Sequence, residues 1–362
     1  MAKLRPNQLT NIPQTNVEGL TVELLSKATA SYTDSKLYVD ALNGDDANSG
    51  SFHSPRKTIQ ATVDSLPLII NHPIEIILAK GIYTETIQFT KHTLGADGFI
   101  IVKPDHGATV VLSGDRKLDH CVIVDFAQGV CIKDVTIQGF KKEAVKVINS
   151  AKIDMNRCVL RDNFIALSIS NQASTYTLDN CVFLNNQVGV KVFNTSTADI
   201  ANSSFELNKV AVSVESLSTV FLIGAKVSSN VLAFESLSKS LLDLKNSVVV
   251  ENSSVARVDL ATLSSRNLSK PTLISNNNSG VICTKASVVD LQNVDMINNK
   301  QVDIVVDSGS TALIEDCAFR KSSPVFAMTV KRGNQAHLMG TTRERSSASN
   351  LYDPSHTPNV FG

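Results

Sequence analysis

The chain has 362 residues, 43% apolar and 19% charged, with 34 basic and 34 acidic side chains in balance. Zero net charge argues against a nucleic-acid binder, which would carry a basic excess. No uninterrupted apolar run reaches the length of a membrane-spanning helix, and the low charged fraction suits an outer surface of Ser, Thr and Asn.

Residues 1–35 read as an N-terminal attachment or linker segment. Pro6 and Pro13 oppose early regular structure, and VEGLTVELLSKA has helical character over 17–28. MAKLRPNQLTNIPQT lacks the apolar centre of a signal peptide, so action outside a cell implies another exit, such as release by lysis.

Residues 36–330 read as one domain, with 36–120 as its capping and irregular first part. KLYVDA predicts a strand, LNGDDANSGSFHSP a long loop, and TIQATVDSL a short helix. Ile59, Val63 and Leu66 share one face of that helix, and Ser54 and Pro55 are the predicted start. The helix is expected to cover the open N-terminal end of the domain, because an uncovered end is both a core surface and a sticky edge. PIEIILAKGIYTETIQF predicts strands over 74–78 and 84–89 around a turn at Gly81, and Pro104 and Gly107 mark another turn. The oxygen-rich run Asn43 to Asn48 lacks the spacing of a calcium loop and reads as a polar turn.

From 121 to 330 the sequence repeats. Apolar anchors fall at Ile137, Leu160, Phe183, Phe205, Val227, Val250, Leu273, Met296 and Phe319, with spacings of 22 or 23. Three residues later comes a polar turn residue: Asn163, Asn186, Asn208, Asn230, Ser253, Asn276, Asn299 and Ser322. Three residues before the anchors is a second small or polar set: Asp134, Arg157, Asn180, Asn202, Gly224, Ser247, Lys270, Asn293 and Asp316. Within one period TYTLDN, CVFLNN and VGVKVF each alternate with period two. Three short strands and three corners make one coil of a solenoid, and the next coil stacks at roughly 4.8 Å. The asparagines then form ladders at the corners. The predicted fold is all-β: a single-chain right-handed parallel β-helix of 22–23 residues per coil with a short N-terminal capping helix. An antiparallel sandwich has no reason to keep this period.

Cys121, Cys131, Cys158, Cys181, Cys283 and Cys317 contain no Cys-x-x-Cys pair, so zinc is not expected. Cys158 and Cys181 are 23 apart and should stack as free thiols in a core column. Trp is absent, and Tyr32, Tyr38, Tyr83, Tyr176 and Tyr352 form no visible sugar-stacking platform. Residues 331–362 leave the repeat and read as a C-terminal cap or a strap onto a neighbour, with Val360 and Phe361 as a packed end.

YVDALNGDDANSGSFHSPRKTIQATVDSLP followed by IEIILAKGIYTETIQF resembles the opening of the pectin-lyase-like right-handed parallel β-helix superfamily. Tyr38, Val39, Gly50, Pro55, Thr58, Ile59, Gln60, Ala61, Gly81, Tyr83 and Glu85 carry the resemblance. It covers about 36–330 as a fold, and within the superfamily the chain looks most like bacteriophage tail spikes and tail fibres. That resemblance implies a virion structural protein, folded in the host cytoplasm and released by lysis. It implies a homotrimer joined to other virion proteins through the N-terminal segment, binding a host-surface polysaccharide in a shallow groove of Ser, Thr, Asn and Lys. Leu217, Phe234 and Leu237 are candidates for burial between subunits. The alternatives are a polysaccharide-degrading hydrolase or lyase on the same fold, and a purely architectural particle component.

The superfamily supports many chemistries. The Gln-Asp-Thr-Leu and Asp-Phe-x-Phe-Gly segments of pectin methylesterases are absent. No carboxylate cluster with one-coil spacing matches a pectate-lyase calcium site. Asp154, Asp179 and Asp199 come nearest, at spacings of 25 and 20, and Asp162 faces Asn185 one coil on. No residue is assigned as catalytic, cofactor-binding or metal-ligating, no cofactor is expected, and the balance is against an enzyme.

Overall fold

The computed structural model describes residues 35–90, 92–95, 97–267, 270–320, 327–331, 334–339 and 359–361. The proposed helix over 17–28, Ser322, Tyr32 and Tyr352 lie outside them. The chain winds as a right-handed parallel β-helix, the hand expected of parallel crossover connections. From Ile74–Leu78 to Met328–Val330 each coil gives one strand to each of three sheets. Among the described residues sheet A has 14 strands, from Ser35–Val39 through Gln335–Met339 to Asn359–Phe361. Sheets B and C have 11 each, running from Gly81–Tyr83 to Ala318–Arg320 and from Ile87–Phe89 to Met328–Val330. The parallel ladder of sheet A continues beyond residue 330, since Gln335–Met339 pairs with Thr311–Glu315 and Asn359–Phe361 pairs with Gln335–Met339. Near the N-terminus the expected strand over 84–89 is interrupted. Gly81–Tyr83 belongs to sheet B and Ile87–Phe89 to sheet C, with the corner between them rather than at Gly81.

Period-two alternation puts one face of every strand inside. Along sheet B the inward column is Ile137, Leu160, Phe183, Phe205, Val227, Val249, Ile274, Met296 and Phe319. The rings of Phe183 and Phe205 stack at 4.7 Å and 6°. Two predicted anchors were one residue off: Val250 and Leu273 are half-exposed, and their neighbours Val249 and Ile274 are buried. The cause is a coil of 25 residues between these two, with its extra length between the strands Thr262–Arg266 and Thr272–Ser275. A fixed period of 23 steps across that irregularity and lands on the wrong face. Phe234 is likewise inside, whereas Leu217 is exposed and Leu237 half-exposed.

The corner between sheets B and C explains the asparagines. The buried ladder is Asn163, Asn186, Asn208, Asn230, Asn252, Asn277 and Asn299. Asn252 and Asn277 take the places predicted for Ser253 and Asn276. Each rung from Asn163 to Asn277 has its backbone N–H donating to the side-chain oxygen of the next rung, at 2.8–3.0 Å. Each side-chain amide donates back to an anchor carbonyl, as Asn208 does to Phe183 at 2.9 Å. The residue before the rung takes the left-handed conformation, as at Asp162, Asn185 and Asn276. The corner between sheets A and B uses one left-handed residue (Asp134, Arg157, Asn180, Asn202, Gly224, Asn246, Asn293 or Asp316), with Asn246 in place of the predicted Ser247. A small buried residue follows, and Cys158, Cys181 and Cys317 are three of these. All six cysteines are buried free thiols.

One helix, α1 (Ile59–Asp64), is present among the described residues. It begins at Thr58, whose hydroxyl accepts from the Ala61 N–H, and not at Ser54 and Pro55. The start is fixed by acids from two sides. Asp46 accepts the Lys57 and Thr58 N–H groups, and Glu85 accepts those of Ile59 and Gln60. The polar loop from Asn43 to Asn48 is thus tied to the start of the helix. Ile59, Thr62 and Val63 are buried against the first strands of the stack.

Candidate functional site

The outer face of sheet A carries an irregularity that the repeat does not predict. Strand Ser174–Asp179 holds one residue more than its neighbours need. Ile153 pairs with Thr175 and Met155 with Leu178, and on the other side Ser174 pairs with Thr197 and Leu178 with Ile200. Two consecutive residues, Tyr176 and Thr177, therefore face outward. A β-bulge of this kind re-aims a side chain. The broken ladder is mended locally, since the buried hydroxyl of Thr175 accepts the Asp199 N–H at 2.9 Å.

Tyr176 is 42% exposed. Its ring lies 6.2 Å from that of Phe99 and carries the Lys152 ammonium 5.2 Å from its centroid. Phe99, Gly129, Lys152 and Ser174 follow one another in a single column across four coils. Gly129 has φ 91° and no side chain, and a Cβ there would stand 3.4 Å from the Phe99 ring. The column thus carries no side chain at Gly129, and the two rings meet at an interplanar angle of 57°. Sequence reasoning saw no aromatic platform because Phe99 and Tyr176 are far apart in the chain and the bulge has no signature in the repeat.

Two acids lie in register across the bulged strand. Asp154 and Asp199 share the outward column of sheet A on the coils either side of Tyr176, while Asp179 falls in the adjoining column beside Asn156. Spacings of 25 and 20 look irregular because Asp179 lies in another column, yet together they span two ordinary coils. The Cys131 thiol donates to Asp154 at 3.4 Å, and burial pushes that thiol up to about 12. Partial burial holds the Asp199 carboxyl above its ordinary value. Asp179 is committed to the amides of Asn180 and Asn202, at 2.7 and 3.0 Å. Asp162 is bonded to Asn185 at 2.6 Å on a different corner.

A second acidic set lies on sheet C and was not visible in the sequence, because its members alternate between two columns. Glu215 and Glu235 each stand 3.2 Å from the Ser213 hydroxyl. Lys191 pairs with Glu215 at 3.0 Å, and Asp259 pairs with Lys285 at 2.6 Å and with Arg257 at 3.5 Å. These acids are already matched by cations, which makes the belt a cross-coil brace. Among the described residues no three His, Cys, Asp or Glu side chains converge as a metal site requires.

A family model described as "Right handed beta helix region" matches residues 120–278. No curated protein gave a significant match to the sequence. Among solved structures, the pectate lyase Pel9A is similar at 15% identity and TM-score 0.46, over 88% of this chain and 79% of its own. The GH136 lacto-N-biosidase from Eubacterium ramulus is similar at 10% identity and TM-score 0.49, over 90% and 68%. The A-module of the Azotobacter vinelandii mannuronan C-5 epimerase AlgE4 is similar at 11% and 0.47, over 80% and 91%. The likeness concerns the winding of the chain and places no side chain.

Proposed function

We propose that the chain is a polysaccharide-binding β-helix whose outer face on sheet A receives a saccharide along the helix axis. The observation that carries this is the bulge at Tyr176, which sets an exposed ring beside Phe99 and Lys152 and between the carboxylates of Asp154 and Asp199. A sugar ring presents an apolar face that stacks on an aromatic and hydroxyls that bond to flanking acids, amides and ammonium groups. The strand stack is rigid, so these groups are held in place before the ligand arrives. Retardation in polyacrylamide gels cast with soluble polysaccharides tests it. At least one polysaccharide should slow the wild-type chain, and Tyr176→Ala should relieve the retardation while leaving the circular dichroism unchanged. Equal retardation of both proteins would refute the assignment.

One observation favours a second reading, in which the bound chain is hydrolysed. Asp154 and Asp199 are two coils apart in one column, roughly 10 Å between backbones, a separation at which side chains can bracket a glycosidic bond and a water. Asp199, with its raised proton affinity, is the acid in that scheme and Asp154 the base. Release of reducing ends that Asp199→Asn abolishes, with binding retained, would support it. The finer setting, a homotrimeric fibre of a virus particle attached through residues 1–35, rests on the resemblance of the chain to the β-helix superfamily that tail spikes share. Deleting those residues should leave the β-helix folded and prevent attachment to particles.

A further inference from the structure

A separate hollow is built where sheets B and C meet in the early coils. In the regular coils three residues connect the two sheets, as between Val159–Arg161 and Ile165–Ser170. Between Val110–Ser113 and Val122–Asp125 the connection runs to eight. The longer loop is pinned to the next coil. The Arg116 N–H donates to the Gly139 carbonyl at 2.9 Å, and the Lys141 N–H to that of Leu118 at 3.0 Å. Gly114 permits this seat, because a Cβ there would lie 2.6 Å from the Gly139 carbonyl oxygen and 2.7 Å from the Phe140 ring. The loop and the neighbouring corners line two adjoining hollows, open to solvent and of about 390 Å³ each, which share Arg116, Gly139 and Asp162.

The charges in this hollow are unevenly satisfied. Asp115 is held by Lys117 at 2.5 Å and Asp162 by the Asn185 amide at 2.6 Å. Arg161 donates to a neutral acceptor, Gln138, at 2.9 Å. Among the described residues neither Arg116 nor Arg161 has a carboxylate at ion-pair distance, although many other basic side chains of the chain do. Phe164, 54% exposed, lines one of the two adjoining hollows with Arg116, and Arg161 lines the other with Arg116. Two planar cations free of acidic partners, beside an exposed ring, match a sugar that carries an acidic group. The guanidinium fork takes a carboxylate or sulfate by paired hydrogen bonds, and the ring takes the apolar face.

Resting on the polysaccharide-binding reading, we infer that this hollow is a second subsite, specific for a carboxylate- or sulfate-bearing sugar unit, with Arg116 and Arg161 as its anion-binding residues. It lies on another face from the Tyr176 platform and would recognise charge, where that platform recognises sugar rings generally.

The test uses the full chain on an array of neutral glycans, carboxylated glycans including hyaluronan and its carboxyl-reduced form, and sulfated glycans including heparin fragments. The expected result is preference for acidic glycans, weakened by raising NaCl from 20 to 200 mM. Arg116→Gln/Arg161→Gln should lose at least about tenfold in affinity for the acidic glycans, in keeping with the strength of charge-assisted bonds, and keep its affinity for neutral ones. Comparing the hyaluronan and heparin arms shows which anion is taken. A double variant that binds acidic glycans as the wild type does, or a wild type that prefers neutral glycans, would overturn the inference and leave the Tyr176 platform standing. Absence of binding to every glycan would overturn the broader reading and this one with it.

Discussion

Asn208→Ala should be among the most damaging polar-to-apolar substitutions in the chain. Asn208 is buried, and its side chain serves both neighbouring coils, reaching the next one where its amide donates to the Asn230 side-chain oxygen at 3.0 Å. Its oxygen accepts from the backbone and side-chain nitrogens of Asn186, each at 3.0 Å. Its amide donates to the carbonyls of Phe183 and Glu206, at 2.9 and 3.2 Å. Alanine leaves the Asn186 N–H and the Phe183 carbonyl without those partners, in an interior with no room for replacements. Each unsatisfied buried group costs about 1–3 kcal/mol, so a loss of about 3–5 kcal/mol is expected. The control is Asn171→Gly. Asn171 also belongs to a ladder, bonded to Asn149 and Asn194 at 3.2 Å, but an exposed one. Its φ of 57° suits glycine, so removing the amide adds no backbone strain. Water replaces its bonds, and the change should stay within about 0.5 kcal/mol. Urea unfolding followed by far-ultraviolet circular dichroism gives both numbers. Equal effects of the two substitutions would refute the claim that burial, and not the repeat of asparagine as such, makes the ladder structural.

Three further outcomes are expected. Phe183→Asp removes a stacked ring and puts a carboxylate into the apolar column, which should cost at least about 4 kcal/mol and lower the thermal midpoint sharply; an unchanged midpoint would contradict the register of sheet B. The six thiols should stay unreactive toward a thiol-specific disulfide reagent at pH 8 until the chain is unfolded, because all are buried away from the reagent and burial also raises Cys131 and Cys317 to about 12 and Cys283 to about 11; rapid modification of the native protein would count against the placement of those columns. The Lys103 ammonium, 2.5 Å from Glu75, holds that carboxyl below its ordinary 4.5 against the opposing effect of partial burial. A depressed carboxylate stabilises the fold above its unfolded value and loses that contribution as pH falls through the folded one. The wild type should therefore unfold at a higher temperature than Glu75→Gln near pH 7, with the gap closing below pH 4.5, and a gap that widens in acid would refute the pairing.

The architecture was legible because the forces that set it are repetitive. Every coil needs the same inward apolar residues and the same small or left-handed residues at its corners, so the period is written many times over. Where one coil departs, the period misleads. The 25-residue coil moved two anchors by one position, to Val249 and Ile274, and with them the ladder positions Asn252 and Asn277. The candidate sites sit at such departures. The extra residue of the Tyr176 bulge turned that ring outward between Asp154 and Asp199, and the lengthened loop brought Arg116 into the hollow that Arg161 lines. Neither is periodic, and in each the partners come together through stacking of coils distant in sequence. A ligand site breaks the repeat for a physical reason: a perfect coil presents the same shallow face everywhere, and an irregular one gathers unlike groups at one place.

The most direct test of the polysaccharide-binding account is calorimetric titration of the wild-type chain and Tyr176→Ala with an oligosaccharide cut from whichever polysaccharide retards the wild type most. The account predicts saturable binding by the wild type, with affinity at least about tenfold lower in the variant, or about 1.4 kcal/mol. Equal affinities, with both proteins folded, would show that the bulge on sheet A is not where the sugar is held.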